Sequence, residues 1–371
     1  MPIPTLARNT AAAALRRLPD WRSSVVIFGY SSLFAPDDVE RSLPDAASAR
    51  ALLQERRPDI IEFVQRRRQR LLAHFGDDTG EELDRAAAAF MLGTARLGLR
   101  HGHFGGDFHA YHNEDHVLEL AWRRLNAYES QLGLSARPLA DWLALALFAA
   151  CHDLRQREAT QPPGPIGGNE AASIAETLRI LDACGYDRAR DRALYVTMEL
   201  AIAGSTFGLF APAADNPAEA VVGGGALARY LPGWLDQAVP DWRGDTAIEH
   251  ALILARIAAD LDTANAGEPF HELADSAIRL CREREMRERR DPGTAASAQP
   301  CLSFLSNGQE RFFFELHHFC SREGERVFGP GKAANAARVR AVSAALRARF
   351  AAQAPDNGTA VIEAYRRLAE G

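Results

Sequence analysis

Residues 139–153 read Leu-Ala-Asp-Trp-Leu-Ala-Leu-Ala-Leu-Phe-Ala-Ala-Cys-His-Asp. From Leu139 to Cys151 the run is apolar nearly all round, the pattern of a helix buried on every side. It closes on His152-Asp153, an oddly polar end for so apolar a helix. A helix of that kind needs neighbours, and the flanking sequence supplies them. Apolar residues recur at helical spacing over 111–132 (Val117, Leu118, Leu120, Ala121, Leu125, Tyr128), and helices are also expected over 58–75, 83–99, 170–184, 191–203 and 246–261. A highly charged helix follows at 272–290, then C-terminal helices near 308–321, 332–352 and 358–369.

Composition points the same way. Alanine and arginine are abundant while Val, Ile and Thr are sparse, which favours helix over sheet. The expected class is all-α. The only strand-like stretch is 24–30, a short apolar run that reads equally as part of a helix. Asp37 and Asp45 follow prolines at turns and read as helix starts. The turn Gly76-Asp77-Asp78-Thr79-Gly80 suggests a boundary, giving an N-terminal helical extension over 1–80 and a main domain over 81–371. Loops are expected at 161–168, over 211–245 around a short helix at 225–231, and at 291–302, where a mobile segment could gate a site.

Length and charge exclude several functions. At 371 residues the chain can bury a large core. A net charge of -6 argues against broad binding to nucleic acid, which needs a basic surface. The five cysteines (151, 184, 281, 301, 320) are odd in number and lack a Cys-x-x-Cys, fitting reduced thiols in a cytoplasm. The first residues lack the apolar core of a signal peptide, and no window approaches 18 consecutive apolar residues, so no membrane span is expected. The arginine-rich run at 66–70 reads as a solvated helix face.

Chemistry concentrates at helix ends. In Tyr111-His112-Asn113-Glu114-Asp115-His116 two imidazoles lie four residues apart, on one face of the expected helix. His116, His152, Asp153 and Asp260 all sit at the ends of apolar helices, where such residues are rare unless something pairs them. Two imidazoles and two carboxylates suit Zn, Mn, Fe or Mg, and a carboxylate can bridge two ions.

The order His116, His152-Asp153, Asp260 resembles the H…HD…D signature of the HD superfamily of metal-dependent phosphohydrolases. Within it, YHNEDH resembles the YHNxxH motif of the class I cyclic-nucleotide phosphodiesterases, and Ala259-Asp260-Leu261 and Gln309-Glu310-Arg311-Phe312 resemble their later motifs. The likeness runs over about residues 100–325. It implies a compact HD-type helical domain with added N- and C-terminal helices, and a divalent-metal site of one or two ions on His116, His152, Asp153 and Asp260. His112 would protonate the leaving group and Glu170 would orient water or support His152. Tyr111, Gln309 and Phe312 would contact the nucleotide. The implied reaction is hydrolysis of a small nucleotide ester, a 3′,5′-cyclic nucleotide foremost, by a hydroxide generated on the metal.

The sequence departs from the phosphodiesterase pattern at two places. Leu154-Arg155-Gln156 replaces a second histidine and Pro-Gly after HD, and Thr263 replaces an asparagine. Asn169-Glu170-x-x-Ser173 instead resembles another group of bacterial HD phosphohydrolases. A nucleotidase or alarmone hydrolase, a di-iron oxygenase and a non-catalytic nucleotide-binding module therefore stay open, as does the oligomeric state, a homodimer included. The remaining histidines are assigned no role: His101, His103 and His109 to a loop, His250 to the core, and His317-His318 to the C-terminal helices.

Overall fold

The computed structural model describes residues 27–158, 166–210, 223–239 and 241–371. Among them the fold is all-α apart from one two-stranded sheet, Phe207–Phe210 with Gly223–Ala226. That pair escapes a sequence reading because Gly223-Gly224-Gly225 has no side chains to alternate. The residues after it form a 3-10 turn, Leu227–Arg229, and a helix, Leu231–Ala238, later than expected. Of the loops expected at 161–168 and 211–245, residues 161–165, 211–222 and 240 lie outside the described residues. No helix among the described residues is long and apolar enough to cross a membrane.

The chain gathers into two compact units. Among the described residues, one comprises those within 27–108, 112–208 and 226–262, the other those within 109–111, 209–225 and 263–371. At the centre of the first unit the helix Leu139–Cys151 is buried at every position but Ala140. The helices Gly80–His101, Gly168–Ala183, Arg192–Ser205 and Thr246–Asp262 pack against it. Small residues let them approach closely: a Cβ on Gly93 would come within 3.0 Å of the Ala150 carbonyl oxygen and of Cys151 Sγ. Each fully buried Leu or Phe on the central helix contributes about 1.5–3 kcal/mol by leaving water.

The turn at 76–80 exists, with Gly76 at φ +104, yet it does not separate two units. Helices Ala46–Arg56 and Pro58–Phe75 both pack on Gly80–His101. A buried charge network ties the early residues down as well. Arg96 lies 3.5 Å from Glu40 and 3.4 Å from Glu176. Arg100 joins Asp37 (2.8 Å) to Glu176 (3.0 Å), and Arg179 binds Glu40 at 2.5 Å. Asp37 and Asp45 cap their helices as expected, accepting from the backbone N–H of Glu40 and Ser48. Charges this deep survive only because each has several partners.

Residues 27–29 form neither strand nor helix; a 3-10 turn begins at Tyr30. The backbone N–H groups of Ile27 and Phe28 instead donate to the two carboxylate oxygens of Glu199, at 2.7 and 3.1 Å. Sequence periodicity cannot show such a contact, because the acceptor is a side chain some 170 positions away.

In the second unit, helices Phe270–Arg287, Arg322–Arg349 and Gly358–Glu370 enclose a core that includes Leu273, Cys281, Leu305, Phe313, Leu346 and Val361. The expected loop at 291–302 is largely helical: turns from Ala295 run on through Ala298–Ser303 and two π-helical segments to Leu316. Asp291 organises the short connection before it, accepting from Gly293 N at 2.8 Å.

Glu199 yields a test. Burial raises its carboxyl from 4.5 to about 7, against the lowering effect of the Ile27 and Phe28 N–H groups. The native state thus holds the proton more tightly than the unfolded chain does. Its contribution to stability is full below about pH 4.5 and is lost as pH rises to about 7. Glu199→Gln should flatten the stability profile across that window by a few kcal/mol relative to wild type in denaturant titrations. Identical profiles for the two proteins would contradict this.

Candidate metal centre

The last turn of an α-helix leaves carbonyl oxygens without helical partners. At the end of Leu139–Cys151, the carbonyl of Phe148 accepts from both the backbone N–H and the ring Nδ1 of His152, at 3.0 and 3.2 Å. A carbonyl carries no proton, so Nδ1 must, and Nε2 is left to face outward from the helix end. The ring is also stacked on Phe148, centroids 4.7 Å apart at 27°. His152 is 2% exposed.

Two carboxylates meet that nitrogen, and a second imidazole meets them. His152 Nε2 lies 2.9 Å from Asp153 Oδ2 and 3.4 Å from Asp262 Oδ1. His116 Nε2 lies 3.3 Å from the same Asp262 oxygen and 3.7 Å from Asp153 Oδ2. Two imidazole nitrogens and two carboxylates thus converge. His152 Nε2 is buried yet makes no hydrogen bond, since its close neighbours lie outside hydrogen-bond alignment. Donor atoms directed at a shared point, with a buried nitrogen left over, fit a divalent cation. His116, His152 and Asp153 offer ligand atoms within 4.8 Å of one another.

The fourth group is one the sequence reading did not name. A carboxylate meeting both imidazoles belongs to Asp262, two residues beyond Asp260, to which the sequence pattern points. Both lie in the last turn of the helix Thr246–Asp262, where Asp260 is 1% exposed.

His112 is also placed differently. The helix starts at Glu114, with Asn113 as its cap accepting from Asp115 N at 2.9 Å. His112 therefore precedes the helix, and the i, i+4 relation to His116 does not apply. Its ring stands edge-on to that of His116, with centroids 6.2 Å apart. The first turn is pinned by the buried Glu114, which accepts from His103 N at 3.1 Å and pairs with Arg57 at 3.6 Å. Gly102 makes room for it: a Cβ there would fall 1.6 Å from Glu114 Oε2.

Supporting groups fix the orientation of the four. Glu119 Oε2 lies 3.5 Å from His116 Nδ1, at the start of a π-helical segment, Glu119–Arg124. The fully buried Arg124 donates to the carbonyls of Leu261 (3.0 Å) and Asp262 (2.6 Å) and lies 3.8 Å from Glu119. Gln156 Nε2 donates to Asp153 Oδ1 at 2.7 Å, while Gln156 Oε1 accepts from Asn169 Nδ2 at 3.3 Å. Asn169 Oδ1 accepts from Glu158 N, and Ser173 Oγ from Arg155 N. The Asn169-x-x-x-Ser173 spacing thus clasps the loop after Asp153 from one helix face.

Electrostatics reflect the crowding. Burial opposes ionisation of Asp153, but the charges of His152 and His112 hold its carboxyl down at about 2. Burial likewise opposes ionisation of Asp262, and His116 and His152 outweigh it. Glu170, in the helix Gly168–Ala183, is raised by burial and by the negative charge of Asp153, partly offset by His112. Glu170 and His112 are therefore within charge range of the cluster.

Tyr111, Gln309 and Phe312 belong to the second unit. Tyr111 is buried, its N–H on Glu283 Oε2 (2.9 Å) and its ring 5.2 Å from the Arg279 guanidinium. Gln309 is buried, and Phe312 packs on that unit's core with its ring 5.4 Å from His317. Of the histidines assigned no role, His103 pairs with Glu114 (2.8 Å), while His109 is buried on Glu283 (3.2 Å). His250 is a surface rather than a core residue, 2.6 Å from Asp141.

Comparison with protein-family models, curated proteins and solved structures finds no match to this chain.

The geometry separates ligand from support. Asp262→Asn should remove bound divalent metal measured by elemental analysis, and retention of full metal content would exclude Asp262 as a ligand. Glu119→Gln should keep the site but weaken metal affinity about 10–100-fold in competition with a chelator.

Proposed function

We propose that the first unit carries a metal-dependent phosphohydrolase centre of the HD type, acting on a phosphodiester or phosphate ester of a small nucleotide. A 3′,5′-cyclic nucleotide is the first substrate to try. The observation that carries the reading is the convergence of His116, His152, Asp153 and Asp262 with a buried, unbonded His152 Nε2. Those four residues would hold the metal, in the borderline-to-hard donor set used by Zn, Mn, Fe or Mg. When bound, a divalent cation supplies Lewis acidity, easing ionisation of water and neutralising phosphate oxygens.

The protein's own groups do the rest. Phe148 and Glu119 hold the Nδ1 side of the two imidazoles, so that each presents Nε2. Gln156 and Asn169 keep Asp153 from swinging away. His112, outside the ligand set and free of the helix, is the group that can give a proton to a departing alkoxide. Glu170, with its carboxyl raised by burial, can accept a hydrogen bond from water or take its proton. The clasp of the 153–158 loop by Asn169 and Ser173 supports the broader phosphohydrolase class as much as cyclic nucleotides.

Metal content and a nucleotide panel test this together. Purified protein supplied with Mn or Mg should hydrolyse cyclic AMP, cyclic GMP or a linear nucleoside phosphate. His152→Ala should lose metal and all turnover, whereas His112→Ala should keep metal and lose about 10²–10⁴-fold in rate. Full turnover by metal-free His152→Ala protein would refute the reading, and equal metal loss in both variants would refute the division of roles.

A further inference from the structure

The arginine run at 66–70 is not a uniformly solvated face. Arg67 turns inward with its side chain 8% exposed, while that of Arg66 is 62% exposed. Arg66, Arg67 and Arg70, with Phe63, Trp122 and Asn126, line a cleft of about 190 Å³. Trp122 lies flat along Phe63, centroids 5.4 Å apart at 15°, and remains 41% exposed, unusual for so large an apolar ring. The Arg66 guanidinium stands 5.5 Å from the Trp122 ring centre.

Charge in this cleft is unbalanced. Arg67 and Arg70 share one buried carboxylate, Glu129, and Arg66 faces exposed Glu62 at 3.4 Å. Three guanidiniums thus meet two carboxylates. Nε and Nη1 of Arg67 are buried without a hydrogen-bond acceptor, although Nη1 is 2.6 Å from Glu129. Both atoms are closed to solvent, so an incoming anion would meet the exposed guanidiniums of Arg66 and Arg70 and offset the excess positive charge that Arg67 adds beneath them. Burial lowers Arg67 to about 10, and burial with the charge of Arg67 lowers Arg70, which fits a cleft short of negative charge.

We propose that this cleft binds a small anion carried on a planar ring, with the ring on Trp122 and the anion on Arg66, Arg67 and Arg70. A nucleoside monophosphate is the simplest member of that class. Aromatic stacking and guanidinium contacts to phosphate each contribute, so neither half alone should bind as well. The site is independent of the metal centre, though Trp122 shares a π-helical segment with Glu119 and Arg124.

The chain has five tryptophans, so nitrogen-15 NMR gives a small set of indole signals, with that of Trp122 assigned by Trp122→Phe. Millimolar AMP should move the Trp122 signal, and adenosine or inorganic phosphate should bind roughly tenfold more weakly. Arg66→Ala, at an exposed position, should weaken AMP by about tenfold. The shift should persist in Asp262→Asn, which separates it from nucleotide bound at the metal centre. The proposal is overturned by an immobile Trp122 signal, by adenosine or phosphate matching AMP, by Arg66→Ala binding as wild type, or by loss of the shift in Asp262→Asn.

Discussion

The hydrogen bond from His152 Nδ1 to the Phe148 carbonyl, at 3.2 Å, governs the chemistry of the first unit. It satisfies a helix-end acceptor that would otherwise be orphaned in a dry core. In doing so it decides which ring nitrogen is available. The two carboxylates beside Nε2 then gather two negative charges around one buried ring nitrogen without hydrogen-bond alignment. Such an arrangement is unfavourable unless a proton or a cation joins it.

Holding those groups together requires a stiff frame, and the most enclosed helix provides it. His152 and Asp153 leave the end of Leu139–Cys151, whose side chains are buried nearly all round. Asp262 leaves the end of Thr246–Asp262, where Arg124 takes up two terminal carbonyls. His116 comes from a helix whose first turn is anchored by buried Glu114. Three helix ends thus meet, each with its free backbone groups occupied by a side chain. Sites built on such ends hold their geometry better than sites built on loops.

The buried charges elsewhere follow a similar logic. Glu40, Arg96 and Glu176 lie in the core of the first unit with Arg100, Arg155 and Arg179 around them. Arg155 also belongs to the loop that carries Gln156, so the network and the clasp on Asp153 share a segment. Glu176 is raised to about 7 by burial despite its arginines. The early residues are therefore part of the frame rather than an appendage.

The sequence by itself determined the class of the fold and the approximate place of most of its helices, though the helix expected from 332 begins at Arg322. Leu139–Cys151 and Pro58–Phe75 were legible to the residue, because burial on one face or on all faces is written locally at helical spacing. The pairing of His116 with His152-Asp153 was legible as polar residues stranded at apolar helix ends. Only the tertiary structure brought Asp262 to them, since which helix face turns inward depends on neighbours far along the chain. It alone placed His112 outside the helix, where the Asn113 cap sets the first turn, and set the Ile27 and Phe28 amides on Glu199. Such contacts join residues as much as 172 positions apart, a distance over which periodicity carries no information.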